Sequence, residues 1–214
     1  MNKIKLLVMI SGGGTTLANF LDVKAKGGLL ADVVCVISSK RKDSGNSEII
    51  ERCESEQIPV HYIVRSEFNS KEEFWAAQDE IVNQYSPDLI TLAGYLKLWR
   101  IPENYLGRVM NIHPALLPKF GGKGFYGMHV HETVLNSGEK ESGCTVHFAN
   151  NEYDSGPIIL QKFVKITPED TAKSIKDRVF EQECIAYPEA INLFAQNKLE
   201  IIGDVNSGTV KIAE

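Results

Sequence analysis

Strand-like and helix-like stretches alternate along the chain. Lys5-Leu6-Leu7-Val8-Met9-Ile10 is a nearly continuous apolar run, the pattern of a strand covered on both faces, and Ser11-Gly12-Gly13-Gly14 breaks it. A helix follows, with Leu17, Phe20 and Leu21 at helical spacing, Thr15 or Thr16 as its cap and Gly27-Gly28 as its end. Residues 32–37 predict a second buried strand. Ser47 followed by Ile49, Ile50 and Cys53 predicts a second helix ending before Ile58-Pro59, and residues 60–64 a third strand. Phe74, Trp75, Gln78, Ile81, Val82 and Tyr85 set a helix over residues 71–85, closed by Ser86-Pro87-Asp88. Residues 89–93 and 109–112 give the fourth and fifth strands, and two more, at 143–148 and 158–166, flank a loop. Thr167-Pro168-Glu169-Asp170 opens a helical stretch reaching about Asn197, which Pro188 is expected to kink or split. Ile201-Ile202 and Val210-Lys211-Ile212, on either side of Asn206-Ser207-Gly208, predict a hairpin added to an edge.

Repeated strand-helix units imply an α/β fold: a Rossmann-like, mainly parallel twisted sheet with helices on both faces and a C-terminal edge hairpin. Such sheets place ligands at the carboxyl ends of their strands. The 214 residues show no repeat, no compositional shift and no long linker, so a single domain over 1–214 is expected. The formal charge is −5, with no basic block longer than Lys40-Arg41-Lys42, which argues against a nucleic-acid surface and requires any bound anion to be met locally. Cys35, Cys53, Cys144 and Cys184 include no C-x-x-C pair, so reduced thiols are the plain reading. The first apolar run, residues 6–10, is far short of the roughly 20 residues that a membrane helix needs. A soluble, cytoplasmic protein is expected.

Three motifs carry chemistry. Ser11-Gly12-Gly13-Gly14-Thr15-Thr16 lies between a strand and a helix, where glycines allow a tight turn and helical N–H groups point at an anion such as a phosphate. No Gly-Lys-Ser/Thr follows, and Leu17 stands where G-x-G-x-x-G needs its third glycine, so a tight turn without a ligand is the competing reading. In Asn111-Ile112-His113-Pro114, residues i and i+2 share a strand face, so an amide and an imidazole converge where a strand ends. That pair can donate to an oxyanion and move a proton near neutral pH; a satisfied turn is the alternative. Asp154, in the loop between two strands, would raise the His113 pKa and hold the ring if it lies nearby, and is otherwise a turn residue. His129-Val130-His131-Glu132 lacks the i, i+4 spacing of a helical zinc pair, and His147, alternating with Thr145, supports the site or is merely a half-buried strand residue. Gly94-Tyr95-Leu96-Lys97-Leu98-Trp99 offers apolar and aromatic groups as a wall for a flat ligand, or as core.

Taken together, Ile10-Ser11-Gly12-Gly13-Gly14, Leu92-Ala93-Gly94-Tyr95, Asn111-Ile112-His113-Pro114-Ala115-Leu116-Leu117-Pro118, Val146-His147-Phe148, Asp154-Ser155-Gly156-Pro157-Ile158-Ile159-Leu160-Gln161 and Gln182-Glu183 with Tyr187-Pro188 resemble phosphoribosylglycinamide formyltransferases, among the folate-dependent formyltransferases. The resemblance runs to about residue 203. It implies transfer of a formyl group from 10-formyltetrahydrofolate, as co-substrate, to the amine of 5-phosphoribosylglycinamide in purine biosynthesis, without a metal. It implies Asn111, His113 and Asp154 as catalytic residues, and Gly12, Gly13, Gly14, Thr15, Thr16, Pro114 and Glu183 around the ribonucleotide. Lys71, Leu96, Lys97, Leu98, Trp99, Asn111, Asn150, Asn151, Glu152, Tyr153 and Asp154 would form the folate side. The partners implied are small molecules, with no nucleic acid and no membrane, for a monomer or weak homodimer. Thr15-Thr16 stands where family members usually carry Ser-Asn, and residues 120–128 are longer than the commoner form. That segment is expected to be a mobile, glycine-hinged flap with Lys123 as a phosphate contact. The alternatives are another folate-dependent formyltransferase, a formyl-folate hydrolase, or a catalytically idle folate- or phosphate-binding module.

Overall fold

The structure, a computed structural model, describes residues 3–213. Its elements in chain order are β1 (Ile4–Ile10), α1 (Thr15–Ala25), β2 (Ala31–Ser38), α2 (Ser47–Ser55), β3 (Val60–Tyr62), α3 (Lys71–Tyr85), β4 (Leu89–Leu92), β5 (Val109–His113), α4 (Met128–Asn136), β6 (Glu141–Phe148), β7 (Ile158–Lys165), α5 (Ala172–Ala195), β8 (Leu199–Ile202) and β9 (Thr209–Ile212). The sheet order is β3-β2-β1-β4-β5-β6-β7, an α/β arrangement, and β8 and β9 form a two-stranded antiparallel sheet of their own. The chain divides into two compact units, the first ending at Val109 and the second beginning at Met110.

In the first unit β1 pairs in parallel with β2 and β4, and β2 in parallel with β3. Strands joined through crossover helices are covered on both faces, and Leu6 to Ile10 of β1 are all fully buried, which is why this stretch reads as unbroken apolar sequence. Leu17, Phe20 and Leu21 of α1, Ile49, Ile50 and Cys53 of α2, and Phe74 and Val82 of α3 supply the helical side of that core. β3 stops at Tyr62, short of the predicted 60–64, because the chain turns into a 3-10 turn at Arg65–Glu67. The cap of α1 also differs from expectation. Gly14, in the left-handed region at φ 74°, occupies the N-cap and Thr15 is already helical, so neither threonine caps the helix.

In the second unit β6 pairs antiparallel with both β5 and β7, so the parallel pattern does not extend to the end of the sheet. The short 149–157 connection permits only this, since a parallel return needs a crossover of a dozen or more residues. The last helix begins at Ala172 rather than at Thr167: the Thr171 hydroxyl accepts from the Ser174 N–H while the Ser174 hydroxyl accepts from the Thr171 N–H, a reciprocal cap. Pro188 does not split α5, which runs unbroken for 24 residues. An interior proline costs about 3 kcal/mol, and each large side chain fully buried returns roughly 1.5–3 kcal/mol. Ala186, Tyr187, Ala190 and Ile191 around it are all fully buried, and the Tyr187 hydroxyl donates to the Met110 carbonyl at 2.8 Å, so packing outweighs the break. The C-terminal hairpin lies beside β7, the last strand in the order, as a separate sheet.

Candidate active site

The glycine-rich turn of the first unit is backbone-built. Gly14 at φ 74° has no space for a side chain, since a Cβ there would lie 2.7 Å from the Ile49 side chain. A Cβ on Gly13 would lie 3.4 Å from the Gly45 carbonyl, so the turn runs against the start of α2. Gly12, Gly13 and Thr15 are exposed, and no side chain caps α1. The first N–H groups of that helix lie at its positive dipole end beside the exposed Gly12 and Gly13, an arrangement suited to a phosphate. Ser11 ties this turn to residues 94–96: its N–H donates to the Gly94 carbonyl at 3.2 Å and its hydroxyl accepts from the Leu96 N–H at 2.9 Å. Leu96, Lys97 and Leu98 are exposed, whereas Trp99 is buried. Lys71 is the exposed first residue of α3.

The second unit brings Asn111, His113 and Asp154 together. Strand alternation puts Asn111 and His113 on one face of β5, and the β6–β7 connection carries Asp154 back to them in the left-handed conformation, φ 53°. His113 Nδ1 is 3.4 Å from Asp154 Oδ2, and Asn111 Nδ2 donates to Asp154 Oδ1 at 3.2 Å. His147 joins them: its Nδ1 lies 3.0 Å from the Phe148 carbonyl and so carries the proton, leaving Nε2 to accept from Asn111 Nδ2 at 3.1 Å. Sequence reasoning left open whether His147 supports the site. The register Asn111↔His147 across β5 and β6 was the structural signal, and it needed the antiparallel pairing to become visible.

Neighbouring backbone completes the network. The start of the 120–128 segment is tied to this network: the Phe120 carbonyl lies 2.8 Å from His113 Nε2, the Gly122 N–H donates to Asp154 Oδ2 at 2.9 Å, and Phe120 and Phe125 pack on the Ala115, Val130 and Val134 cluster. A Cβ on Gly121 would sit 2.4 Å from the Leu117 Cδ2 and 3.3 Å from Asp154 Cβ, so a side chain there would have to displace Leu117. The turn after His113, which begins with Pro114, is pinned by Thr145, whose hydroxyl donates to the Ala115 carbonyl at 2.7 Å and accepts from the Leu117 N–H at 3.0 Å. Gln161 donates to the Leu117 carbonyl at 3.0 Å. Gly156 lets the chain pass the Phe148 carbonyl, which a Cβ would overlap at 1.8 Å.

Burial works against the expected electrostatics of His113. Desolvation pulls its pKa below the ordinary value, and the Asp154 charge and Phe120 carbonyl oppose that without overcoming it, so the expectation of a raised value is not met. Burial also pushes Asp154 upward, but the His147 ring, the His113 charge and the Gly122 N–H hold it below the usual carboxylate range, ionised. Both ring nitrogens of His113 face oxygen atoms, Asp154 Oδ2 at Nδ1 and the Phe120 carbonyl at Nε2, so a proton on either nitrogen has an oxygen beside it.

The remaining candidates stand apart from this network. Asn151, Glu152 and Tyr153 are exposed on the turn, and buried Asn150 organises it by accepting from the Glu152 N–H at 2.9 Å and the Ser155 hydroxyl at 3.0 Å. Half-buried Glu183 projects from α5, and burial pushes its carboxyl up to about 7. His131 is buried on α4, its Nδ1 without a partner and its pKa pushed down to about 4 by burial and by the Lys176 and His113 charges. Among the described residues no three His, Cys, Asp or Glu side chains group as metal ligands, and no helix is long and apolar enough to cross a membrane.

Comparison with known proteins gives this geometry a relationship. The chain is 36% identical over 199 residues to phosphoribosylglycinamide formyltransferase of Haemophilus influenzae, covering 92% of this chain and 90% of that one. It is 34% identical over 200 residues to the Escherichia coli protein of the same name, with the same coverage. Among solved structures, glycinamide ribonucleotide transformylase 1 from Symbiobacterium toebii superposes with a TM-score of 0.87 at 36% identity, covering 99% of this chain and 95% of that one. Residues 4–191, which include both the glycine-rich turn and the Asn111, His113 and Asp154 cluster, match the formyl transferase family, and the chain belongs to that family.

Proposed function

We propose that this protein is an enzyme of purine biosynthesis that transfers the formyl group of 10-formyltetrahydrofolate to the amine of 5-phosphoribosylglycinamide. The observation that carries the reading is the buried contact of His113 with Asp154, with Asn111 bonded to the same carboxylate, in a chain of the formyl transferase family. The neutral amine attacks the formyl carbon and generates an oxyanion. Burial lowers the His113 pKa, but the adjacent Asp154 carboxylate favours the imidazolium, and in that form His113 donates to the oxyanion. The tetrahedral intermediate collapses with cleavage of the bond from the formyl carbon to folate N10, and the amine proton is delivered to N10 through His113, Asp154 or water.

The hydrogen bonds of this structure add a requirement. The Phe120 carbonyl occupies His113 Nε2, and the two Asn111 amide protons go to His147 and Asp154. Catalysis on this reading includes an exchange in which the oxyanion takes the place of at least one of these protein partners. Gly12, Gly13, Gly14, Thr15 and Thr16 take the substrate phosphate, chiefly by backbone N–H groups, and Glu183 takes the ribose or glycine part. Of the folate-side residues, Leu96, Lys97 and Leu98 lie on the first unit and the 150–154 turn on the second, each assigned to the folate separately. Four cysteines, three of them buried and none in a C-x-x-C pair, suit a reducing compartment, and we assign the protein to the cytoplasm.

The test is an absorbance assay of formyl loss from 10-formyltetrahydrofolate with and without the ribonucleotide. Formyl transfer that depends on the ribonucleotide supports the assignment. Formyl loss to water alone identifies a hydrolase, and donor binding without turnover identifies an idle binding module; either result overturns it.

A further inference from the structure

The loop assigned to the folate in the first unit is framed by residues of α3 that have no assigned role. The 94–99 loop leaves β4 through Gly94 at φ 71° and presents Leu96 and Leu98, 51% and 38% exposed, between the buried anchors Tyr95 and Trp99. Three residues of α3 hold that loop from behind. The Tyr95 hydroxyl donates to Gln78 Oε1 at 2.8 Å, Trp99 Nε1 donates to Asp79 Oδ1 at 2.9 Å, and Trp75 Nε1 donates to the Leu98 carbonyl at 2.9 Å. Gln78 Nε2 in turn donates to the Phe74 carbonyl at 3.0 Å, which fixes the orientation of its amide. Positions 75, 78 and 79 share one helix face at i, i+3 and i+4 spacing. From the other side, the Ser11 hydroxyl holds the Leu96 N–H.

We infer that Gln78 and Asp79 are positioning residues that keep Leu96-Lys97-Leu98 raised as a preformed apolar wall for the flat ring system of the formyl donor. Two exposed leucines on a free loop would gain by folding inward, because burial of apolar area is favourable. The bonds to Tyr95, Leu98 and Trp99 hold them out instead. A wall ordered before binding spares the ligand the cost of ordering it, so its loss appears as weaker donor binding rather than slower chemistry. The inference rests on the proposed placement of the donor against residues 96–98.

The experiment compares Asp79→Leu, Asp79→Asn and Trp75→Phe by steady-state kinetics in each substrate, together with tryptophan emission. The chain has only two tryptophans, Trp75 and Trp99, and both belong to this frame. Asp79→Leu removes the acceptor and is expected to raise the KM for 10-formyltetrahydrofolate about tenfold, the effect of losing one ordinary hydrogen bond. Its kcat and its KM for the ribonucleotide stay within about twofold of wild type, and its Trp99 emission shifts to the red. Asp79→Asn keeps an oxygen acceptor and restores the donor KM. Trp75→Phe, at a half-buried position that tolerates the change, raises the donor KM several-fold and tests the same frame if Asp79→Leu does not fold. An emission shift with an unchanged donor KM, or equal changes in both KM values, overturns the inference. A wild-type protein without ribonucleotide-dependent transfer would instead overturn the function proposed above; quenching of the two tryptophans by 10-formyltetrahydrofolate would then still test the wall, with loss of quenching in Asp79→Leu supporting it and unaltered quenching refuting it.

Discussion

In the glycine-rich turn of the first unit the groups offered to a ligand are main-chain: three glycines and the opening turn of α1, with no capping side chain in the way. In the catalytic cluster of the second they are side chains held by other side chains, with buried His113 and His147 and half-buried Asn111 and Asp154 linked by hydrogen bonds and close charge contacts. A backbone site tolerates side-chain substitution and fails when its conformation is blocked. A buried polar network fails when any member is removed, because each lost partner leaves another unsatisfied. The sharpest test of this contrast is in the second unit. His113→Ala and Asp154→Asn are each expected to lower kcat by about 10³-fold, within the range of general acid-base contributions, while circular dichroism stays near wild type. Activity within tenfold of wild type in both would remove the catalytic role of the cluster.

The second unit also stores opposing pH dependences. The buried His131 is held at about 4, so its neutral form is the one compatible with the fold. Its folded pKa lies below the unfolded value near 6.5, so the unfolded chain binds more protons between these values and stability rises with pH across that window. The stability present above pH 6.5 is lost as pH falls toward 4, by up to roughly 3 kcal/mol. Glu183, raised to about 7, has the opposite sign, favouring the fold at low pH and losing that contribution as pH rises from about 4.5 to 7. Urea midpoints for His131→Leu against wild type at pH 7 and pH 4.5 separate the two. The variant is expected to lose less stability on acidification, and parallel losses would show that His131 is protonated in the fold without cost.

The same contrast explains what sequence alone conveyed. Continuous apolar runs such as Leu6 to Ile10, and the helical spacing of Phe74, Gln78 and Val82, reflect burial geometry directly, so the strands and helices of the first unit were legible. Asn111 and His113 were legible as a pair because strand alternation fixes their common face. The role of His147 depended on antiparallel register with β5, and the hold of Phe120 on His113 depended on a left-handed residue at φ 58° within a glycine-rich segment, which no periodicity announces. The unbroken α5 had the same origin, since the burial that offsets Pro188 comes from other elements.

Returning to the first unit, Gly14→Val should raise the KM for the ribonucleotide about tenfold or more, because a side chain there meets Ile49 at 2.7 Å in a conformation that β-branched residues avoid. The donor KM serves as the internal control, since a general loss of structure would move both constants. An unchanged ribonucleotide KM would place the phosphate elsewhere on the protein.

The smallest expected effect discriminates most finely between backbone and side-chain binding. Thr15 and Thr16 stand at the first two positions of α1, where the N–H groups remain whatever the side chain is. Thr15→Ala and Thr16→Ala should therefore raise the ribonucleotide KM by only about threefold each, the share of one exposed hydroxyl hydrogen bond. Thr16→Asn should differ little from wild type, because an amide can replace the hydroxyl as donor. If either alanine variant instead matched Gly14→Val, the phosphate would be held by hydroxyl groups, and the glycines would serve to shape the turn rather than to meet the anion.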